Sequence, residues 1–177
     1  MDRRHFLRAV ATAAPVLALP TFASAAGVAL GPRVLTFAHL HTAEKLEVEY
    51  MDGVRYLPQA LSAVNHLLRD FRTGDVHDID PALLDLLHAL HAETGSRRPF
   101  EIISGYRSPS TNAMLRSHSG GVAAGSLHME GRAIDIRLPD VLLSSLRDAA
   151  LDLGRGGVGF YAMSNFVHVD TGRVRRW

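Results

Sequence analysis

Three side chains in the second half of the chain have the types and order of a metal-binding set. His128 and Asp135 lie in the segment SLHMEGRAID, residues 126–135, and His168 follows nearer the end. Two imidazoles and one carboxylate suit Zn²⁺ and leave a fourth coordination position for water. A metal held in this way lowers the pKa of water and polarises a carbonyl group, which is hydrolytic chemistry. On spacing alone, the alternative that all three are ordinary polar residues stays open.

Two predicted strands would bring these side chains together. Residues 133–137 and 166–170 alternate in polarity, so Asp135 and His168 each point away from the face that carries the isoleucines and valines. If the two strands are neighbours, both side chains lie on one face of the sheet. The loop before the first strand would supply the third ligand, and Gly131 suits the tight turn that this loop needs.

The remaining patterns predict helices followed by a sheet-rich half. A hairpin is expected near the start, and Asp80 with Pro81 predicts a helix N-terminus. This order favours an α+β fold with a small, mostly antiparallel sheet that carries the site and packs against helices. Further strands are predicted at residues 34–40, 45–50, 100–104 and 158–161, and helices at 57–71, 81–94, from 109, and at 141–153, with a loop at 117–126.

Composition limits the class of protein. The chain of 177 residues is 47% hydrophobic and 21% charged, which is typical of one globular domain. Its formal net charge of +1 argues against nucleic acid as a partner. With no cysteine in the sequence, a metal site must be built from histidines and carboxylates, and ten histidines are present.

Residues 1–26 are predicted to be an export signal, and residues 27–177 the mature domain. Arg3 and Arg4 precede an apolar run at 9–22 and small residues at 23–26, so cleavage is expected near residues 25–26. The run is shorter than the roughly 20 residues of a membrane-spanning helix. The paired arginines resemble a twin-arginine signal, with the general secretory route as the alternative. Either route leads out of the cytoplasm.

Two motifs resemble those of a known peptidase group. The pattern S-x-H-x-x-G-x-A-x-D at 126–135 matches the zinc motif of the D-Ala-D-Ala peptidase and endopeptidase superfamily known as LAS. The segment SGYRS at 104–108, followed by Asn112, resembles a second motif of that group. From about Arg33 to Trp177 the chain is similar to the murein endopeptidase K branch of these enzymes.

This resemblance implies a periplasmic zinc peptidase with a fold like that of DD-peptidases. The substrate would be peptide cross-links of peptidoglycan, between two diaminopimelate (mDap) residues or, as a second candidate, between D-Ala and mDap. His128, Asp135 and His168 would be the Zn²⁺ ligands. Arg107 would lie near the substrate carbonyl or carboxylate, and Ser126 would contact substrate. Sequence says nothing of the oligomeric state.

One departure concerns the general base. Many relatives place a Glu or a His shortly before the last ligand, but here Asn165 and Phe166 occupy those positions. Asp170 is the first candidate for a catalytic base, and an orienting role toward the last ligand is equally compatible with its place on the strand. Glu130 is a second candidate for the base, but we prefer the interpretation that its side chain is simply exposed to solvent. A wall-binding module with a structural zinc, and a D-alanyl carboxypeptidase, remain as alternative functions.

Other polar residues carry weaker signals. His88 and His91 could share a metal by spacing, but we expect them beside the buried stripe of their helix. A second metal site at His39 and His41 is given little weight. The basic end of the chain, residues 173–177, is expected to be a solvated terminus.

Overall fold

The computed structural model describes residues 31–118 and 122–177. The predicted export signal and its cleavage site lie outside these residues. Within the described part, no helix is both long and apolar enough to cross a membrane.

Seven strands and four helices are interspersed along the described chain. The strands are β1 (Arg33–His39), β2 (Lys45–Met51), β3 (Phe100–Ser104), β4 (Ala133–Arg137), β5 (Gly157–Tyr161), β6 (Phe166–Asp170) and β7 (Arg175–Arg176). The helices are α1 (Pro58–Leu67), α2 (Pro81–Thr94), α3 (Pro109–His118) and α4 (Leu143–Leu153), with a short 3₁₀ helix at Leu127–Glu130.

All of these strands form one sheet in the order β2-β1-β3-β4-β6-β5-β7. The β1/β3 and β5/β7 pairs are parallel and the other neighbours are antiparallel. The prediction of an α+β fold with a mostly antiparallel sheet is therefore confirmed. The predicted hairpin is the β1/β2 pair.

One face of the sheet is covered by helices and forms the core. Helix α2 packs on β1 and on α4, and α4 also packs on β5 and β6. The apolar positions of β4 and β6 point into this core. Ile134, Ile136, Val167 and Val169 are almost fully buried there. Their polar neighbours in sequence are consequently displayed on the opposite face.

Helix ends follow local chemistry and contacts with distant loops. Helix α2 begins where Asp80 accepts a hydrogen bond from the Ala82 N–H group at 2.9 Å, and it ends at Gly95, whose φ is 65°. The apolar spacing predicts helix α1 to residue 71, but the helix ends at Leu67. There the backbone turns toward the loop after β3, because the carbonyl of Leu68 accepts the Tyr106 N–H at 2.7 Å.

Residues 173–177, predicted to be a solvated terminus, are mostly exposed to solvent, but they are also held on the edge of the sheet. Strand β7 pairs with β5, and Trp177 exchanges backbone hydrogen bonds with Val158 (3.2 Å) and Phe160 (3.1 Å). A strand of two residues has no detectable periodicity, so only tertiary contacts define it. The end of the chain thereby becomes part of the polar face of the sheet.

Candidate metal centre

Neighbouring strands place two of the expected ligands side by side. Asp135 of β4 and His168 of β6 are paired in register on the polar face. His128 arrives from the 3₁₀ helix, which ends at Gly131 with φ 65°. A Cβ atom at this glycine would overlap the carbonyl oxygen of Asp78. The turn that brings His128 over the sheet therefore requires glycine for both its dihedral angle and its packing.

The three donor atoms form a compact, buried triangle. Nε2 of His128 lies 3.2 Å from Nδ1 of His168 and 3.3 Å from Oδ1 of Asp135, and the His168 and Asp135 atoms are 2.9 Å apart. Ligands about 2.0–2.1 Å from a tetrahedral zinc are roughly 3.3–3.4 Å from one another. The triangle thus needs little expansion to hold such an ion. It is the one group of this kind in the described chain.

Hydrogen bonds orient both imidazoles toward the centre of the triangle. Nδ1 of His128 lies 2.7 Å from the carbonyl oxygen of Gly105, an acceptor, so this nitrogen carries the proton. Nε2 of His168 lies 3.0 Å from the carboxylate of Asp170, which assigns the proton there. With an ion bound, the remaining nitrogen of each ring would direct a lone pair at the shared point.

The electrostatics of the site favour a cation. Burial opposes the charge on Asp135, but the adjacent imidazoles of His128 and His168 hold the pKa of this carboxyl below its usual value. Burial likewise works against protonation of His168, yet hydrogen bonds to Asp135 and Asp170 raise its pKa overall. The cluster keeps an ionised carboxylate in a nearly dry position, which a divalent ion would compensate.

The triangle lies in a cleft of about 400 Å³. Arg107 borders it with Nη2 3.5 Å from Oδ2 of Asp135, and its side chain is 11% exposed. Burial lowers the pKa of Arg107 while Asp135 counteracts that effect. Its Nε has no hydrogen-bond partner in the described part of the chain. Ser126 also lines the cleft, so both residues expected to contact substrate border the cleft that contains the triangle.

The sequence is similar to that of known proteins along most of its length. The family model for peptidoglycan L,D-endopeptidase MepK matches residues 27–177. The chain belongs to the MepK family. Peptidoglycan L,D-endopeptidase MepK of Escherichia coli (strain K12) is 44% identical over 178 residues, covering 99% of this chain and 97% of that protein, and the Shigella flexneri protein of the same name gives the same figures. A probable MepK of Haemophilus influenzae is 45% identical over 147 residues, 82% of this chain and 79% of that protein.

Membership of the MepK family confirms the resemblance to the murein endopeptidase K branch. It does not by itself assign roles to side chains in the cleft. The position of each candidate residue in the structure bears on that question.

Asp170 lies behind His168 and away from the cleft. Its side chain is fully buried, and both of its oxygens are occupied: Oδ1 accepts the N–H groups of Gly157 (3.0 Å) and Gly172 (2.8 Å), and Arg175 contacts both oxygens. Burial opposes ionisation of Asp170, but these donors hold its pKa below the usual value. We therefore favour the orienting role over that of a base that touches substrate or water.

The other candidate positions for a base also lie outside the cleft or lack a basic group. Glu130 is exposed and pairs with Arg132 at 3.2 Å. Asn165, with φ 53°, lies in the β5–β6 turn and borders a different surface depression. Phe166 does face the cleft, but its ring cannot accept a proton.

The other two histidine pairs considered as possible metal ligands lie apart from this site. His91 stacks on Phe100 with ring centroids 4.1 Å apart, and its Nε2 lies 3.0 Å from the carbonyl of Arg98. His39 is buried and its Nδ1 accepts the N–H of His41 at 3.2 Å. Neither pair is part of a metal-sized cluster within residues 31–118 and 122–177.

Sequence reasoning missed three residues at the site. Arg175 donates a hydrogen bond to Asp170. The ring centroids of Trp177 and His168 are 5.2 Å apart, and Tyr161 lines the cleft. The glycines of GGVG, residues 156–159, were a usable signal, because such spacing on a strand indicates that something bulky lies directly over it.

Proposed function

We propose that this chain is a zinc-dependent peptidoglycan endopeptidase in which His128, Asp135 and His168 hold the ion. The chain is a peptidase of the MepK family, and its curated relatives carry the name peptidoglycan L,D-endopeptidase. The metal identity, the residue roles and the bond that is cut are our proposals.

The size of the donor triangle and the types of its donors carry the proposal. Its edges of 2.9–3.3 Å lie close to the roughly 3.3–3.4 Å that separates ligands around tetrahedral zinc, so little expansion would admit the ion. Two imidazoles also disfavour Mg²⁺ and Ca²⁺, which prefer oxygen ligands. When bound, zinc would supply a Lewis acid for the scissile carbonyl and lower the pKa of a water.

Two groups of side chains support this chemistry. Arg107 carries a permanent charge and an unpaired, buried Nε, so its planar fork is available for a carbonyl or carboxylate of the substrate. Asp170, held by Arg175, keeps His168 in the tautomer that presents Nδ1. Ser126 offers a hydroxyl at the cleft for a substrate hydrogen bond.

We propose the link between two mDap residues as the bond that is cut. That link joins an L centre to a D centre, whereas the D-Ala to mDap link joins two D centres. The name L,D-endopeptidase borne by the relatives fits the former. We also propose that residues 1–26 direct export and that the enzyme works in the periplasm, where peptidoglycan is accessible.

Digestion of defined cross-linked muropeptide dimers tests the function. Purified protein with one equivalent of Zn²⁺ should convert mDap–mDap dimers to monomers, as read by product mass, and a chelator should stop the reaction. His168→Ala should lower turnover at least about 1,000-fold, because the triangle loses a ligand. Activity equal to wild type in this variant would contradict the assigned site.

The same assay separates the alternatives. Release of free D-alanine from monomers would indicate a carboxypeptidase. Retained binding of muropeptides with intact dimers, in excess zinc, would indicate a wall-binding module. His91→Gln serves as the control, since His91 lies outside the triangle and should leave zinc stoichiometry and turnover unchanged.

A further inference from the structure

The cleft contains a hydroxyl group that neither the ligand set nor the motifs explain, that of Tyr161. This residue ends β5 and is paired in register with Phe166 of β6. Its ring stacks on the Phe166 ring, with centroids 4.5 Å apart. By strand alternation it shares the face that carries His168 and Gly159. Tyr161 therefore lies on the polar face, on the strand next to the one that carries His168.

The proton of this hydroxyl is free to point into the cleft. Nε1 of Trp177 donates a hydrogen bond to the Tyr161 oxygen at 2.8 Å. An indole nitrogen can only donate, so the phenol acts as acceptor in this contact. No acceptor for the Tyr161 proton is found among residues 31–118 and 122–177. The hydroxyl is thus oriented by one partner while its own donor capacity stays unused.

Backbone contacts fix the position of Trp177. The indole lies directly over Gly159, where a Cβ atom would come within 2.7–2.9 Å of three ring atoms. The two backbone hydrogen bonds of Trp177 to β5 hold the residue in register, and the Arg175 guanidinium lies 4.9 Å from the ring centroid. A strand position without a side chain is what allows the indole N–H to reach the hydroxyl.

The strand order places Tyr161 opposite Arg107. Asp135 and His168 lie on the two middle strands, β4 and β6. Arg107 follows β3 on one side of them, and Tyr161 belongs to β5 on the other. A carbonyl group above the ligands would have one hydrogen-bond donor on each side.

We propose that the Tyr161 hydroxyl donates a hydrogen bond to the carbonyl oxygen of the scissile peptide as negative charge develops on it. During hydrolysis the oxygen of water bonds to the carbonyl carbon, the C–N bond breaks, and the leaving amine gains a proton that originates from water. Tyr161 keeps its own proton throughout. This role rests on the proposed function and adds a second, neutral donor to Arg107. A fixed donor of this kind stabilises the transition state more than the bound substrate.

Kinetics of Tyr161→Phe test the role, because this change removes only the hydroxyl. On mDap–mDap dimers kcat should fall roughly 100-fold with KM within about threefold, as expected for loss of a transition-state donor. Tyr106→Phe is the matched control, since Tyr106 stacks on His77 (4.6 Å) and its hydroxyl has no hydrogen bond in the described chain. Its kcat should equal that of wild type.

A double-mutant cycle with Trp177→Phe separates orientation from simple packing. Trp177→Phe should lower kcat less than Tyr161→Phe, and the double variant should be no slower than Tyr161→Phe alone, because the indole N–H acts only through the hydroxyl. Trp177 is the sole tryptophan. Its emission should therefore shift in Tyr161→Phe, which checks the contact without any turnover.

Several results would overturn this inference. They are a wild-type kcat in Tyr161→Phe, a loss confined to KM, losses that add in the double variant, or unchanged tryptophan emission. If wild-type protein left dimers intact, the proposed function would fail and this role with it. If wild type and Tyr161→Phe were equally active, only the role of Tyr161 would fail.

Discussion

At the scale of single residues, the carboxylate of Asp170 fixes the ring of His168 and does not itself line the cleft. Asp170→Asn keeps the size of the side chain but weakens its acceptance of the Nε2 proton and its pairing with Arg175. We expect zinc affinity to fall about 10- to 100-fold, the usual effect of removing a carboxylate that supports a ligating histidine. Competition with a chromophoric chelator measures this constant without reference to turnover.

Saturating zinc distinguishes the two roles of Asp170. An orienting residue would allow most of the turnover to return at high zinc, because the ligands themselves are intact. Glu130→Gln is the control, since Glu130 pairs with Arg132 on the surface. Persistent inactivity of a fully zinc-loaded Asp170→Asn protein would support a base instead.

The ligand triangle could be anticipated from sequence because its members follow strand alternation. Asp135 and His168 each lie between two buried apolar neighbours, so the sequence indicates their face, and the S-x-H-x-x-G-x-A-x-D resemblance supplies His128. Arg175 and Trp177 could not be anticipated in this way. Their contacts with Asp170 and Tyr161 come from a pairing between the chain end and β5 that no local pattern encodes.

At the scale of elements, the turn from the 3₁₀ helix into β4 sets the height of His128 above the sheet. Gly131→Ala combines a strained φ of 65° with overlap of the Asp78 carbonyl. Gly95→Ala is the matched control, because Gly95 has the same φ of 65° and a Cβ atom there would meet nothing within 4 Å. The backbone strain costs about 1–2 kcal/mol and is common to both variants.

The difference in free energy of unfolding between these two variants isolates the cost of the overlap between a Cβ atom at residue 131 and the Asp78 carbonyl. Gly131→Ala should lower the free energy of unfolding by at least about 1 kcal/mol more than Gly95→Ala in urea titrations. It should also weaken zinc binding, whereas Gly95→Ala should not. Equal losses of stability would show that the approach to Asp78 is easily relieved.

The bounds of most of these elements could be predicted from local sequence patterns, but the end of helix α1 could not. Strands β3, β4 and β6 begin and end where the alternation of side chains does, and α2 is bounded by Asp80 and Gly95. Helix α1 stops short of the end of its apolar spacing, because the carbonyl of Leu68 is taken by the loop after β3. Local patterns determine the bounds of these strands and of α2, whereas a long-range hydrogen bond determines where α1 ends.

At the scale of the whole molecule, Asp70 joins the segment after α1 to the start of α3. Its carboxylate accepts hydrogen bonds from the backbone N–H and the hydroxyl of Ser108, at 2.9 and 2.7 Å, and from the N–H of Arg72 at 3.0 Å. Burial alone would raise the pKa of Asp70, but hydrogen bonds from the Thr111 side chain, from Ser108 and from the Arg72 N–H lower it to about 2. Arg107 directly precedes Ser108, so the same contacts hold the loop that carries Arg107 beside the cleft.

Because of this network, part of the free energy of unfolding should depend on pH in the acid range. In the unfolded chain Asp70 regains an ordinary pKa, so its contribution is complete above about pH 4 and is lost as pH falls toward 2. The shift corresponds to about 2 kcal/mol. Asp70→Asn should therefore unfold more easily than wild type at pH 7 by about that amount, and the gap should close by pH 2. Urea titrations across pH measure the gap, with the exposed Asp152→Asn as control, and a gap that stays constant with pH would contradict the link between this carboxylate and the fold.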